Sequence, residues 1–398
     1  MANSEITLHW FLPTYGDSRA IMAGGHGTTG HYGEREADLG YLTQLALAAE
    51  SNGFDSVLVP TGLWCEDAWI ATAALIGATK RLSFLVAARP SLVSPTVIAQ
   101  QATTFQKLSN GRLKLNVVIG GEDHEQRAFG DHRSKEERYA VGDESLQVIN
   151  HLLTEDEPIT LRGEHVDVEN AVLSHRPAQP PQVFFGGSSP AGIEVAAKHA
   201  QVYLTWGERP ADVQAKIERA RSAAARHGRE LDYGIRLHII ARETEEEAWA
   251  EAQRLVDGLD PEVVGQIQGG LARSQSEGQR RMTALQSRGG GFTHGTNARE
   301  LEVAPNLWAG IGLVRGGAGT ALVGSYAQVA ERIGEYFEAG LSHFIFSGYP
   351  HLEEAFHVGE GVIPELHRLG YGVKNRPAPE GERRAAQVPF APVAASAS

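Results

Sequence analysis

Short apolar stretches alternate with longer amphipathic stretches along most of this chain. The apolar stretches are rich in Val, Ile, Leu and Phe and predict buried strands. They lie near Ile6–Leu12, Ser56–Val59, Leu82–Ala87, Leu113–Ile119, Gln182–Phe185, Val202–Thr205, Gly234–Ala241 and His343–Phe346. The intervening stretches predict helices at Asp38–Ser51, Asp67–Thr79, Pro95–Leu108, Val141–Leu153, Pro190–His199, Pro210–His227, Thr244–Asp257 and Tyr326–Ala339. This alternation predicts a parallel α/β fold, a (β/α)₈ TIM barrel with loop insertions.

An open, doubly wound sheet is the alternative fold for the same alternation of strands and helices. That fold usually has a glycine-rich turn after the first strand, where this chain has PTYGD. The closed barrel is therefore the prediction.

Three segments do not fit the strand and helix repeat. Asp17–Arg35 is rich in Gly and His and follows the first strand, so it is expected at the carboxyl ends of the barrel strands, where barrel active sites form. Asp260–Leu301 is polar and then glycine-rich, which predicts a mobile lid inserted at about residues 260–316. Residues 374–398 are rich in Pro, Ala and Ser and predict a flexible tail or an inter-subunit arm, leaving residues 1–373 as the barrel domain.

Charge and cysteine content narrow the partners and the compartment. The chain has 36 Lys and Arg against 49 Asp and Glu, a formal charge of −13, which argues against nucleic acid. Cys65 is the single cysteine, which excludes an intramolecular disulfide and fits a reducing compartment. The first residues lack a signal-peptide pattern, and no run of about 18 apolar residues occurs. We therefore expect a cytoplasmic protein with no membrane association, and we expect no metal ion.

The stretch GIRLHIIARE places two polar side chains on one face of a predicted barrel strand. Arg236 and His238 alternate with aliphatic residues, so both point to the same face, which we expect to be the lumen. A buried arginine is costly unless an anion meets it. That anion is either a ligand or a carboxylate of the barrel itself.

Two further side chains stand at predicted strand ends or in flexible loops. Arg315 in LVRGGAGT follows the predicted lid, and is either a residue that closes over a ligand or a surface arginine on a flexible loop. Trp206 in YLTWGE follows a buried strand at the predicted rim, where its indole could wall off solvent and donate a hydrogen bond, or simply fill the core.

Two motifs precede predicted helices. Cys65 in TGLWCEDAW lies close to a helix start, which lowers a thiol pKa, although a lone cysteine is often only a small hydrophobe. FFGGSSPAG runs from a strand into a helix, and its amides and hydroxyls suit a phosphate at the helix amino terminus. Gly187, Ser188 and Ser189 are the candidate phosphate ligands.

Several long motifs together resemble the bacterial luciferase-like flavin monooxygenases, and within them the alkanesulfonate monooxygenases. The motifs span about Trp10 to Ala355 and read FLPTYGD, VPTGLWCEDAW, FLVAARPSLVSPT, LSNGR, FFGGSS, YLTWGE, GIRLHIIARE, NLWAGIGLVRGGAGTALVG and SGYPHLEEA. The resemblance implies that the sulfonate binds Trp206, Arg236, His238 and Tyr349. It also implies catalytic roles for Arg236, His238, Arg315, Tyr349 and Cys65, and flavin contacts at Ala88, Asn116 and Tyr139.

The reaction implied by the resemblance uses reduced FMN (FMNH₂) and O₂ to convert an organosulfonate to an aldehyde and sulfite. Arg236 and Arg315 would neutralise negative charge, and His238 and Tyr349 would manage protons. The chain has no nicotinamide-binding motif, so a separate NAD(P)H-dependent flavin reductase is expected to supply FMNH₂. Similar enzymes are homodimers or homotetramers.

The chain departs from the alkanesulfonate pattern in three loops: the loop after the first strand, the segment DHRSKEERY and the lid. Tyr15 replaces the usual His of PTHGD, the following loop contains GGHGTTGHYG, and DHRSKEERY is longer than the usual DHSERY. The lid also carries the added RGGGFTHGT. These changes favour a substrate with more hydrogen-bonding groups, such as the sugar sulfonate sulfoquinovose, unless they are neutral loop insertions. A deazaflavin-dependent oxidoreductase of the same fold and a non-catalytic flavin or sulfonate binding protein are the rival functions.

Overall fold

The computed structural model describes residues 5–21, 34–120, 122–287 and 292–374. Its strands, in chain order, are β1 (Glu5–Phe11), β2 (Ser56–Val59), β3 (Ser83–Ala88), β4 (Leu113–Val117), β5 (Ile159–Arg162), β6 (Asp167–Ala171), β7 (Val183–Gly186), β8 (Val202–Trp206), β9 (Asp232–Arg242), β10 (Glu302–Ala304), β11 (Leu307–Trp308), β12 (Ala321–Ser325), β13 (His343–Ser347) and β14 (Gly372–Val373). Its α-helices are α1 (Leu39–Ser51), α2 (Ala68–Leu75), α3 (Pro95–Ser109), α4 (Asp123–Ala128), α5 (Lys135–Thr154), α6 (Pro190–His199), α7 (Pro210–Arg226), α8 (Glu245–Asp257), α9 (Pro261–Leu271), α10 (Glu277–Gln286), α11 (Tyr326–Glu338), α12 (His351–Phe356) and α13 (Ile363–Arg368).

Eight parallel strands close into a barrel. The ring runs β1, β2, β3, β4, β7, β8, β9 and β13, and β13 pairs with β1 through Thr7 opposite His343. These are the eight strands that the sequence predicts, so the barrel prediction is confirmed. The open-sheet alternative is wrong because the two ends of the sheet are paired.

The barrel strands are buried on both faces. Trp10, Val57 and Ile235 pack outward against the helices, in one large cluster. Phe11 and Ile345 belong to a second cluster that fills the lumen. Strands covered on both sides read as continuous apolar runs, which is why the sequence predicts them well.

Several elements differ from the sequence-based prediction. Helix α5 begins at Lys135 rather than Val141, because Ser134 and Glu137 form a capping box that starts the helix earlier. Helix α2 ends at Leu75 rather than Thr79. Strand β12 was not predicted; it pairs in parallel with β9 beyond the end of β8. None of the helices in the described parts of the chain has the length and hydropathy needed to cross a membrane.

A cluster of buried polar side chains lies near the amino-terminal ends of the barrel strands. His9 Nδ1 lies 2.6 Å from Ser56 Oγ, and His9 Nε2 lies 2.9 Å from His343 Nδ1. Lys114 pairs with Asp55 beside them. Burial lowers the pKa of both histidines below the ordinary value for histidine. At neutral pH the two imidazoles are therefore uncharged.

These histidines should make the barrel sensitive to mild acid. Below about pH 6.5 the unfolded chain takes up protons that folded His9 and His343 do not, so stability is lost as the pH falls. The free energy of unfolding should fall toward pH 5 by as much as about 1.4 kcal/mol per pH unit for each such histidine. In His343→Asn, the free energy of unfolding from urea titrations at pH 7, 6 and 5 should fall less steeply with decreasing pH than in the wild type. An unchanged slope would contradict this account.

Candidate active site at the carboxyl ends of the barrel strands

A cavity of about 290 Å³ lies at the carboxyl ends of β4, β7, β8 and β9. One side is covered by the start of α10, through residues Ser276–Gln279. The predicted site residues that line it are Asn116, Tyr139, Gly187, Ser188, Ser189, Trp206 and Arg236. Ala88 does not line it; this residue ends β3 and is buried, while the next residue, Arg89, reaches the cavity.

The β7 side of the cavity has the features of an anion site. Ser189 begins α6 as its N-cap and accepts a hydrogen bond from the Gly192 amide at 3.1 Å. The Tyr139 hydroxyl packs against Gly192. If this glycine had a side chain, its Cβ atom would lie only 3.1 Å from the hydroxyl oxygen. The helix amino terminus carries partial positive charge, and serine hydroxyls beside it can donate to phosphate oxygens.

Arg236 and His238 lie on the lumen side of β9, as the alternation predicts. Their aliphatic neighbours Ile235 and Leu237 are in the outer cluster. Ser347 of β13 links the two polar side chains, because its hydroxyl lies 2.9 Å from Arg236 Nη2 and 2.8 Å from His238 Nδ1. The Arg236 guanidinium also lies over the Phe11 ring, 4.8 Å from its centre.

Arg315 and Tyr349 complete the same cluster. The Tyr349 ring stacks on His238 with centroids 5.5 Å apart, and the Arg315 guanidinium lies 5.4 Å from the Tyr349 ring centre. Arg315 Nη2 also donates to the Tyr15 hydroxyl at 3.0 Å. Arg315 is only 7% exposed, so its interpretation as a surface arginine is wrong. We call Arg236, His238, Arg315 and Tyr349 the cationic cluster; only Arg236 lines the cavity.

The two guanidinium groups of the cationic cluster form no direct ion pair among the described residues, and the Asp17 carboxylate acts on Arg315 without a hydrogen bond. Neither Arg236 nor Arg315 forms an ion pair with a described carboxylate, and burial lowers the pKa of Arg236 to about 10, with the Arg315 charge adding to the effect. Arg315 Nη1 and the Tyr349 hydroxyl are buried without a described hydrogen-bond partner. A buried cation with an unfilled donor, beside a second and partly buried cation, is an arrangement that an anionic ligand would satisfy.

Burial and positive charge also set the protonation state of His238. Desolvation, followed by the charges of Arg236 and Arg315, lowers the His238 pKa well below its ordinary value. The imidazole is thus neutral at pH 7. A neutral imidazole at this position is able to take up a proton, particularly once an anion offsets the neighbouring charges.

His351 and Asp17 adjoin the cluster but were not predicted. His351 Nδ1 lies 2.7 Å from Asp17 Oδ1, and its ring is edge-on to Tyr349 at 5.3 Å. Burial raises the pKa of Asp17, but the charge and hydrogen bonds of His351, with a hydrogen bond from Tyr41, bring it down to about 2. The only sequence signal was that His351 follows Tyr349 by two positions in SGYPHLEEA.

Cys65 does not have the lowered pKa that the sequence suggested. Its sulfur lies 3.6 Å from the Gly62 carbonyl oxygen, and burial raises the thiol pKa to about 12. Asp67 caps α2 and already accepts a hydrogen bond from the Ile70 amide. Cys65 is therefore a neutral thiol, and the expectation of a thiolate-like residue is wrong.

The predicted lid contains two helices, α9 and α10, and lies over the cavity. Trp206 packs directly beneath Gly278 of α10. The contact is so close that a Cβ atom at Gly278 would lie 2.7 Å from the indole ring. Arg281 of α10 pairs with Glu208, just beyond β8, with its Nε 2.9 Å from Glu208 Oε2. The Gln279 side-chain oxygen accepts from the Gly317 amide at 2.9 Å. This position fits a lid, while its movement stays a prediction.

Parts of the predicted loops and tail lie outside the described residues. These are residues 22–33 of the loop after β1, residues 288–291 of the lid, and residues 375–398 of the tail. The described ends of the first loop meet at an antiparallel bridge, in which the Asp17 and Arg35 backbones exchange two hydrogen bonds of 2.9 Å.

The fold and the site define a class of protein: an α/β barrel with a cavity at the carboxyl ends of its strands, bordered by the helix amino terminus that is the candidate anion site. A model of the luciferase-like monooxygenase family matches residues 19–343. The chain belongs to the luciferase-like monooxygenase family.

Solved structures with the same fold cover nearly the whole chain. A riboflavin lyase with modified FMN and riboflavin is 19% identical, with a TM-score of 0.75 over 96% of this chain and 95% of that one. A long-chain alkane monooxygenase is 20% identical, with a TM-score of 0.74 over 97% of each chain. An F420-dependent secondary alcohol dehydrogenase is 18% identical, with a TM-score of 0.63 over 91% of this chain and 99% of that one. At these identities the likeness shows the shared fold.

Proposed function

We propose that this protein is a two-component monooxygenase that uses FMNH₂ and O₂ to remove sulfite from an organosulfonate. The observation that carries the proposal is the pair of guanidinium groups of Arg236, partly buried, and Arg315, buried, neither of which has a described carboxylate as a hydrogen-bonded partner. A sulfonate is a permanent anion with three acceptor oxygens, so it can satisfy both cations and the free Tyr349 hydroxyl together.

The cavity residues fit FMN. Ser188, Ser189 and the amino terminus of α6 would hold the phosphate, with Tyr139 beside them. Asn116 lies deeper on β4 and can hydrogen-bond to the ribityl chain or the ring. The riboflavin lyase structure, which shares this fold, contains modified FMN. When bound in its reduced form, FMN supplies two electrons for the use of O₂.

The overall reaction balances as a monooxygenation. The sulfonate, FMNH₂ and O₂ give an aldehyde, bisulfite, FMN and water. One oxygen atom of O₂ ends on the carbon that carried sulfur, and the other leaves as water. The carbon–sulfur bond breaks with its electron pair on sulfur.

The residues of this chain would bind and orient the sulfonate and would exclude water from the site. Arg236 and Arg315 hold the sulfonate oxygens, and burial keeps the Tyr349 hydroxyl protonated, because it raises the pKa of that group above its ordinary value. Tyr349 therefore donates a hydrogen bond through its hydroxyl. His238, neutral before the substrate binds, is the proposed proton acceptor for the carbon that is oxidised. Trp206 and α10 keep water from the cavity.

Two of the departures from the alkanesulfonate pattern fall on this site. Tyr15, in the place of the usual His, hydrogen-bonds to Arg315, and Lys135 of the lengthened DHRSKEERY lines the cavity. Both add hydrogen-bonding groups near the proposed ligands. This supports a substrate that itself carries hydroxyl groups, such as sulfoquinovose. The expected result is a higher kcat/KM for sulfoquinovose than for hexanesulfonate; the reverse order would contradict the sugar sulfonate but not the sulfonate chemistry.

Single-turnover mixing of the protein with FMNH₂, O₂ and a panel of sulfonates tests the proposal. We expect sulfite in air and none under argon. Substrate oxidation that is independent of oxygen and needs F420 would instead support a deazaflavin-dependent oxidoreductase, whose fold this chain also shares. Binding of flavin and sulfonate without any sulfite would support a non-catalytic protein. The reductase that supplies FMNH₂ and a homo-oligomeric state remain part of the proposal.

A further inference from the structure

Arg89 lies at the cavity without a role in the reaction proposed above. It follows β3 directly and its side chain is only 6% exposed. One nitrogen of its guanidinium is used by the protein, because Nη2 lies 2.9 Å from the Thr61 carbonyl oxygen and 3.0 Å from Glu125 Oε2. Its Nε and Nη1 have no hydrogen-bond partner among the described residues. Buried donors of this kind are expensive unless a ligand fills them.

The surroundings hold Arg89 in a fixed orientation. The Phe129 ring lies against the guanidinium, 5.0 Å from its central carbon. The partner carboxylate, Glu125, belongs to α4 and its other oxygen accepts from the Leu63 amide at 3.3 Å. The charge of Glu125, which also lines the cavity, is shared between Arg89 and the backbone, and the guanidinium keeps Nε and Nη1 as two separate open donors in fixed positions.

The cavity decides which ligand these donors would meet. Arg89 lines the same cavity as Asn116, Ser188 and Ser189, whereas His238, Arg315 and Tyr349 lie away from its wall. In the barrel ring β4 stands between β3 and β7, so Arg89 is separated by one strand from the proposed phosphate site. A ligand anchored by its phosphate at α6 and lying across β4 would bring its ring system to Arg89.

We propose that Arg89 binds the pyrimidine edge of the flavin ring and makes the site prefer the reduced form over the oxidised form. This inference rests on the proposed function. The pyrimidine edge carries carbonyl oxygens, which accept from a guanidinium. In the reduced flavin this edge also bears negative charge, spread over N1 and the adjacent carbonyl oxygen, while oxidised flavin is neutral there. A cation at this edge stabilises the anion selectively.

Direct binding measurements test the proposal without relying on turnover. FMNH₂ binding is titrated under argon and FMN binding in air, for the wild type and the variants Arg89→Met and Arg89→Lys. Arg89→Met should raise the Kd for FMNH₂ about tenfold or more, as expected for loss of a charge-assisted contact, and the Kd for FMN much less. Arg89→Lys keeps the charge but not the planar guanidinium with its two open donors, so its Kd for FMNH₂ should lie between those of the wild type and Arg89→Met.

A matched control comes from the same region. Arg127 is exposed on α4, two residues beyond Glu125, so Arg127→Met removes a nearby positive charge without touching the cavity. It should leave both Kd values unchanged. In the wild type, the preference for FMNH₂ should weaken as the pH is lowered and the reduced flavin takes up a proton. Arg89→Met should lose that pH dependence.

Three results would overturn the proposal for Arg89. Equal rises in both Kd values would mean that Arg89 only maintains the shape of the cavity. Unchanged flavin binding with a raised KM for the sulfonate would place Arg89 on the substrate instead. If flavin binding and the KM for the sulfonate were both unchanged, Arg89 would bind neither ligand. A wild type that binds no FMNH₂ is different, because it would refute the proposed function itself.

Discussion

Replacing Arg236 with methionine should lower kcat/KM for sulfite release by about 10²–10³-fold, since loss of one partner of a buried charge pair costs about 2–5 kcal/mol. Arg236 is the member of the cationic cluster that reaches the cavity, and its partly buried guanidinium lies over the Phe11 ring. Methionine keeps the length and the packing but offers no charge or donor. The unliganded protein should lose little stability, because Arg236 has no described carboxylate partner and the variant gives up only its hydrogen bonds to Leu237 O and Ser347 Oγ and its contact with the Phe11 ring.

The combination of lost activity and retained stability is what separates ligand binding from a structural role. Thermal unfolding should stay near the wild-type value in Arg236→Met. Arg273→Met, at an exposed arginine between α9 and α10, is the matched control and should retain full activity. Arg236→Lys should recover part of kcat/KM. A large drop in melting temperature with Arg236→Met would show that the guanidinium serves the fold.

The lumen-facing position of Arg236 and His238 could be predicted because alternation along one strand is a local property. Aliphatic residues at 235, 237 and 239 pack outward in the structure, as the pattern requires. The barrel strands could be predicted from another local property, because burial on both faces leaves a continuous run of apolar residues. The polar hairpin of β5 and β6 is partly exposed and leaves no such run, so it was missed.

Contacts between distant parts of the chain could not be derived from the pattern. Arg315 bonds to Tyr15 across 300 positions, and His351 bonds to Asp17 across 334. Both contacts exist because β13 closes on β1 and brings the two ends of the chain together. The Cys65 prediction failed for a related reason: proximity to a helix start is visible in sequence, but the burial that raises the thiol pKa is not.

The Asp17 carboxylate joins these distant segments, and Asp17→Asn should lower the free energy of unfolding at pH 7 by about 3 kcal/mol. Asp17 accepts hydrogen bonds from the Tyr41 hydroxyl and from both the ring and the backbone amide of His351. An asparagine has one acceptor oxygen in place of two and would turn its amide group toward a donor. His351 would then lose its fixed orientation beside Tyr349, so kcat should fall as well.

The pH dependence of unfolding tests the role of Asp17 by a second, independent measurement. The pKa of Asp17 is about 2 in the folded chain, below its ordinary value of 3.8, so its contribution is present above pH 4 and is lost as the pH falls from there toward 2. Asp17→Asn should remove that part of the acid destabilisation in urea titrations. Asp167→Asn breaks an exposed pair with Arg162 and is the control that should change little, because surface ion pairs contribute little to stability. If both variants unfold like the wild type, Asp17 does not hold the two ends of the site together.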